Sequence, residues 1–175
     1  MKLTAALPAR EDWNMHKYPI WDIAGRKWID HKPNPRYAIF HAGPPRDNKK
    51  DVVLDKETGL VWERAPSIEK FHWDAAIVYS YAKEVAGRKG WRLPSIEELL
   101  SVVDPTRSNP SLPAGHPFLN VQLDDVYWSS TLGMSFLPTY AWGYNFSNAD
   151  TGNNLKSTSR YVWLVRGGSG HDYPY

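Results

Sequence analysis

The stretch "TYAWGYNF", residues 139–146, sets a large ring at every second position, Tyr140, Trp142, Tyr144 and Phe146, with Ala141, Gly143 and Asn145 between them. A period of two is the mark of a β-strand, and it puts four aromatics on one face and small or polar residues on the other. A strand with so heavy an apolar face needs a layer to cover it, so the chain must build a sheet with a packed core beneath. Two neighbouring runs also read as strands: "VYWSST" (126–131) is short, and "RYVWLVRGG" (160–168) is apolar on both faces, as a central strand is. Between the last two strands lie thirteen small, mostly polar residues, Ser147 to Ser159. Three readings of that run stand side by side: a slack surface loop, a lid over a catalytic site, or a surface held out for a ligand.

The rest of the chain narrows the choice. At 175 residues it is long enough for one domain with a real core and short for two. Nine Trp and ten Tyr supply a rigid core with rings left over for a surface, which suits a scaffold that binds something. The formal charge of +2 is near balance and no basic run exceeds Lys49-Lys50, so nucleic acid is not an expected partner. Zero cysteines exclude disulfides, thiolate metal sites and cysteine nucleophiles. The N-terminal apolar run Leu3 to Leu7 is broken by Thr4 and stopped by Pro8, short of a signal-peptide core. No stretch approaches the roughly 18 apolar residues of a membrane helix, so no membrane insertion is expected. The compartment is left open, between a virion and a display surface.

Residues 1–50 scatter Trp and Pro without a lasting period and read as an extended arm that packs through its aromatics on a domain spanning 51–175. In "DVVLDKETGLVWER" two apolar runs flank Asp55 to Gly59, a β-hairpin with glycine where positive φ is needed. "WDAAIVYSYAKEVAGRKG" predicts an amphipathic helix on Trp73, Ile77, Tyr81 and Val85, with Ala76 beside them. "LPSIEELLSVVDP" predicts a second, with Ser95 and Glu98 as capping box, a stripe of Ile96, Leu99, Leu100 and Val103, and Pro105 as its end. From Pro105 to Asp125 a long irregular connection is expected, stitched down by Leu112, Phe118 and Leu119.

Seven stretches in order, "TGLVWE", "WDAAI", "GWRLPSIEELLSVVD", "NPSLPAGHPFLNVQ", "YWSST", "YAW" and "YVWLVRGG", resemble the bacterial DUF1566 domain, also called the Lcl C-terminal domain. The resemblance implies an α+β, C-type-lectin-like fold near the formylglycine-generating sulfatase modifiers. Two helices would pack on a small twisted antiparallel sheet with long irregular loops. It also implies ligand binding, since similar domains bind glycosaminoglycans in a collagen-like adhesin or serve as variable proteins of diversity-generating retroelements in phages, viruses and bacteria. Two departures stand out. Where many members carry a Cys in the first helix and the last strand this chain has Ser80 and Leu164, and the cysteine-dependent oxidase chemistry of the formylglycine-generating relatives is excluded.

No catalytic residue is assigned. The six histidines show no metal-ligand spacing, and His116 in "GHPF" reads as a loop-fixing residue. No Gly-x-Ser-x-Gly elbow occurs. The calcium signatures of true C-type lectins are missing and "NADTGNN" lacks a closing Glu, so no metal and no cofactor are expected, with Asp124, Asp125 and Asp150 as the places for an incidental cation. Arg92, Glu97, Glu98 and Arg166 read as scaffold.

The ligand-binding candidates are therefore Leu132, Met134 and Phe136, as exposed anchors, with Gly143, Asn145, Ser147, Asn148, Asp150, Thr151, Asn153, Asn154, Ser157, Ser159 and Arg160 as one polar face. The expected function is a non-enzymatic recognition protein for a protein or glycan ligand on a cell surface and, within that class and on the strength of the resemblance, a sequence-variable protein diversified by a retroelement. A glycan-binding adhesin module is the near alternative. A hydrolase or modifying enzyme using His116, Asp124 and Arg92, and a structural subunit docking through the arm, are the others.

Overall fold

A computed structural model describes residues 20–22, 27–29, 34–41, 51–133 and 139–168, and the chain divides into two units between Pro33 and Asn34. In the first unit, β1 (Ile20–Asp22) and β2 (Lys27–Ile29) form an antiparallel hairpin with Trp21 opposite Trp28. The packing expected of residues 1–50 as an arm falls largely outside the described residues.

The second unit opens with β3 (Tyr37–Phe40), inside the stretch read as arm, because the larger unit extends back to Asn34. It pairs with β4 (Val52–Asp55), which turns into β5 (Leu60–Glu63) as the sequence predicts. Asp55 builds that turn: its carboxylate accepts from the Glu57 N–H at 3.1 Å and the Thr58 hydroxyl at 2.9 Å, and its carbonyl accepts from the Gly59 N–H at 2.8 Å. Gly59 takes φ +72°, a conformation that a side chain would strain.

After the two-residue β6 (Lys70–Phe71) comes α1 (Trp73–Ala82). Its rotation differs from the predicted stripe. Ala76 and Ser80 are the buried pair, Tyr81 is 69% exposed, and Val85 is buried beyond the helix end. Small residues let the helix lie close to the sheet, where the Trp73 indole donates to the Ser129 carbonyl at 2.8 Å. The second helix, α2 (Ile96–Ser101), has the predicted capping box, with Glu98 N–H on Ser95 and Ser95 N–H on Glu98. Ile96 and Leu99 are buried as expected, whereas Leu100 is 43% exposed and Val102 takes its place inside. The irregular connection is stitched by Leu112 and Phe118, both buried, and by the Leu119 N–H donating to the Arg64 carbonyl.

The remaining strands are β7 (Tyr127–Leu132), β8 (Tyr140–Asn145), β9 (Asp150–Leu155), β10 (Arg160–Tyr161) and β11 (Val165–Gly167). In place of one antiparallel sheet there are two in this unit: a five-stranded one in the order β6-β10-β7-β8-β9 and a four-stranded one, β11-β5-β4-β3. Every pairing is antiparallel except β10 with β7. The stretch read as one central strand thus serves both sheets, with Val162, Trp163 and Leu164 stepping between them. Its apolar residues alternate between two cores. Tyr161 and Trp163 join one around Trp62, Phe118, Tyr127 and Phe146, and Val162 and Leu164 join the other around Trp91, Trp128 and Ala76. Glu63 lies at this crossing, its carboxylate accepting from the Leu164 N–H at 3.1 Å with Lys83 3.6 Å away, and burial pushes it up to about 7.

Candidate functional site

The polar run 147–159 is no slack loop. Residues 150–155 form β9, at the edge of the five-stranded sheet, in unbroken register with β8 from Asn145↔Asp150 to Tyr140↔Leu155. A short turn joins the two strands, with Ala149 at φ 59° and Asn145 Oδ1 accepting from the Ser147 N–H at 2.9 Å and the Ser147 hydroxyl at 2.8 Å. The irregular connection clamps its base: Ser111 N–H donates to the Phe146 carbonyl at 2.8 Å and Asn109 N–H to that of Ser147 at 3.1 Å. A second turn follows, closed by the Thr158 N–H and hydroxyl on the Leu155 carbonyl.

Strand alternation splits the predicted polar face. Asp150, Gly152 and Asn154 lie opposite Asn145, Gly143 and Ala141, while Thr151, Asn153 and Leu155 lie opposite Tyr144, Trp142 and Tyr140 on the aromatic side. Asn153 and Asn154 therefore point to opposite sides of the sheet. Asn148, Asp150, Asn153, Ser157 and Ser159 are exposed; Asn145, Ser147, Thr151, Asn154 and Arg160 are half-buried. Of the apolar anchors, Leu132 is 54% exposed, and Met134 and Phe136 lie outside the described residues.

Gly143 does not belong to a surface. It is buried, and a Cβ there would stand 2.3 Å from Val126 Cγ1 and 2.8 Å from the Tyr127 carbonyl oxygen. Gly143→Ala is expected to destabilise the chain by about 1–3 kcal/mol, because the clash is partly with backbone and strand spacing must give. Urea unfolding checks this; an unchanged midpoint would contradict the close packing of β7 on β8.

Arg160 and Asn154 join a charged network rather than standing ready for a ligand. Arg160 Nε donates to Asn154 Oδ1 at 3.3 Å, its Nη1 to Asp125 at 2.9 Å, and Lys70 reaches Asp125 at 2.8 Å and Asp124 at 3.5 Å. The Tyr161 hydroxyl, donating to Asp124 at 3.0 Å, holds that carboxyl below its usual range. Asp125 is also held low: its partial burial works the other way, but Lys70, the Val126 N–H and Arg160 outweigh it. Among the described residues no group of three or more His, Asp or Glu could hold a metal ion.

A groove of about 1020 Å³ lies between α1, α2 and β11. Tyr81, Arg166, Ser95, Ser101 and Thr58 line it, together with Arg92 and Glu98. Arg92 is spent on structure: it grips Glu98 with two bonds of 2.6 and 2.7 Å, donates to the Gly167 carbonyl at 3.0 Å, and its backbone bridges Val165. The Arg166 guanidinium makes no hydrogen bond or ion pair with another described residue. Sequence reasoning missed this groove because its lining is drawn from positions 57 to 168 and leaves no spacing motif. Arg92 lines it but His116 and Asp124 do not, so the trio weighed for an enzyme is not brought into one cleft. His116 instead stacks beside Phe118, with ring centroids 6.0 Å apart.

Among the described residues no helix is long and apolar enough to cross a membrane. A search of the curated proteins returns no match. The family model described as the Lcl C-terminal domain matches residues 51–166, from the strand that opens the Asp55 hairpin to β11, and the chain belongs to the Lcl C-terminal domain family.

Proposed function

We propose that the chain is a non-enzymatic recognition module of C-type-lectin-like type, which meets its ligand with β9 and the residues beside it. One observation carries the reading: the polar run is held as an edge strand by backbone bonds to β8, while Asp150, Asn153 and Leu155 remain exposed on a base of buried aromatics. Side chains so placed are fixed in position without being needed for the core, which is what a recognition surface requires. In its finer form, the exposed positions are diversified by a retroelement acting on asparagine codons, and the ligand is a protein or glycan on a cell surface.

The groove favours a second reading, a glycan-binding adhesin module. Exposed Tyr81 offers a ring face, and Arg166 with the neighbouring hydroxyls offers donors and acceptors for sugar hydroxyls.

One experiment separates them. The chain is screened against arrays of glycans and surface proteins, and the best hit is titrated with two variants of unchanged melting temperature. Asp150→Ala/Asn153→Ala/Ser157→Ala is expected to weaken binding on the order of tenfold or more, and Arg166→Ala to leave it unaltered. The reverse pattern moves the site to the groove, and no loss with either variant removes both readings. Sequencing the gene across its source population tests the finer form: substitutions should crowd codons 129–160 and spare Trp142 and Trp163, with a near-identical repeat nearby. Uniform codons end it.

A further inference from the structure

The outer edge of β9 carries a second kind of information, in its backbone. The Lys156 N–H donates to the Thr139 carbonyl at 2.8 Å, and the Tyr140 carbonyl is turned the other way, accepting from Gly133 at 2.9 Å. In an antiparallel ladder the bonding pairs alternate, so Asn154, Gly152 and Asp150 aim their N–H and C=O groups at β8. Thr151 and Asn153 aim both of theirs outward, and Leu155 its N–H, where no described strand meets them; the Leu155 carbonyl is taken by Thr158. The other edges of the two sheets are less open: β6 has two residues, β11 is bridged by Arg92 on both bonds of Val165, and β3 has four residues. An edge of six residues without proline, bulge or lysine is the kind that adds another strand.

We propose that the strand added is β9 of a second copy, antiparallel, about a two-fold axis at Asn153. The proposal uses the strand to which the reading above assigns ligand contact, but rests on its backbone edge. Only outward-facing residues can bond across the new ladder, which restricts the register. The two-fold at Asn153 uses all of them at once: Asn153 exchanges two bonds with its own copy, and the Leu155 N–H donates to the Thr151 carbonyl of the partner in both directions, the Leu155 carbonyl being held by the Thr158 turn. It also sets Asp150 opposite Lys156 of the partner, at both ends. Shifting the axis to either neighbouring residue leaves one of the three outward residues without an outward partner and separates those charges. Asp150 is exposed and makes no salt bridge with a described residue. Lys156 leans over the Trp73 ring at 4.0 Å and, four residues short of Arg160, lies on the Asp150 side of the strand by alternation. The pairing is self-complementary in bonds and in charge, and it would join two five-stranded sheets into one, setting two ligand faces side by side.

Sedimentation of the full chain from about 1 to about 100 μM tests this, since a two-fold edge contact closes at two copies of the 20.0 kDa chain. The wild type is expected to reach the dimer mass. Asn153→Pro removes an outward N–H that no intrachain bond uses, and is expected to run as a folded monomer by circular dichroism. Asp150→Lys, which sets lysine against lysine, is expected to raise the dimer dissociation constant on the order of tenfold, and Asp150→Lys/Lys156→Asp to restore it. Should Asn153→Pro fail to fold, the charge pair decides. A wild type that stays monomeric, a larger closed assembly, or a dimer indifferent to the folded Asn153→Pro or to Asp150→Lys overturns the proposal. Because the readout is mass without ligand, its failure leaves the recognition reading untouched, and a failed ligand screen leaves this one standing.

Discussion

Replacing Trp163 with alanine is expected to cost about 3–5 kcal/mol of stability, enough to unfold a large fraction of a chain whose total is on the order of 5–15 kcal/mol. The indole is completely buried and lies at the centre of a ring cluster, 4.8 Å from Phe118, 5.2 Å from Trp62, 5.3 Å from Phe146 and 5.8 Å from Tyr127 by centroid. Truncation would open a cavity against four aromatics that cannot collapse into it together. It would also strip the Glu63 carbonyl of the indole N–H that donates to it at 2.9 Å. Trp142, half-buried on β8, is the internal comparison, with an expected cost below about 2 kcal/mol for the same change. Urea unfolding of both variants checks this. Equal losses would mean that Trp163 is not the centre of the core.

Asp55→Ala is expected to cost about 3–5 kcal/mol, toward the lower end. The carboxylate is wholly buried and bonded to Arg36, Thr58 and the Glu57 N–H, and its loss leaves the Arg36 guanidinium with Glu57 at 3.2 Å and the Ser101 carbonyl at 2.7 Å. Those survivors moderate the penalty of an uncompensated charge but do not replace the buried pair that fixes Arg36 to the turn. Burial alone would raise the Asp55 carboxyl; the bonds from Arg36, Thr58 and Glu57 outweigh it and hold it below its ordinary value. A depressed folded value means that the unfolded chain binds the proton first as acid is added. This contribution is therefore fully present above the ordinary carboxylate range, near about 4, and is lost as pH falls through the folded value. Melting temperatures of the wild type and Asp55→Asn, followed downward from neutrality, should converge below about pH 4. A gap that stays constant would show that the charge plays no part.

These two sites differ in how plainly the sequence announces them. The Asp55 turn is local: a polar cluster ending in Gly59 between apolar runs can be read from five residues, and so can the Ser95 and Glu98 box. Trp163 belongs to a stretch whose apolar character was legible but whose meaning was not. Alternation between two cores looks, in one dimension, the same as burial within a single sheet. The stripe on α1 erred by one rotation because large residues are taken as core, whereas Ala76 and Ser80 face inward for the sake of close approach. β9 was hidden for a different reason. An edge strand of Asp, Thr, Gly, Asn, Asn and Leu has no apolar face to betray its period, and its strand geometry comes from β8 alone. The candidate residues on it were found by composition, which could not tell that Asn153 and Asn154 point apart or that Gly143 is packed shut. The groove around Arg166 lay beyond any local pattern.

Alternate pairs along the six-residue register hold β9 by main-chain groups that every residue except proline possesses, while the step at Val162, Trp163 and Leu164 is held by particular shapes with no space to spare. Inheritance thus acts on the two segments by different rules: one is spelled letter by letter, and the other is closer to a blank held in a frame. The edge strand can change what it says without changing where it says it.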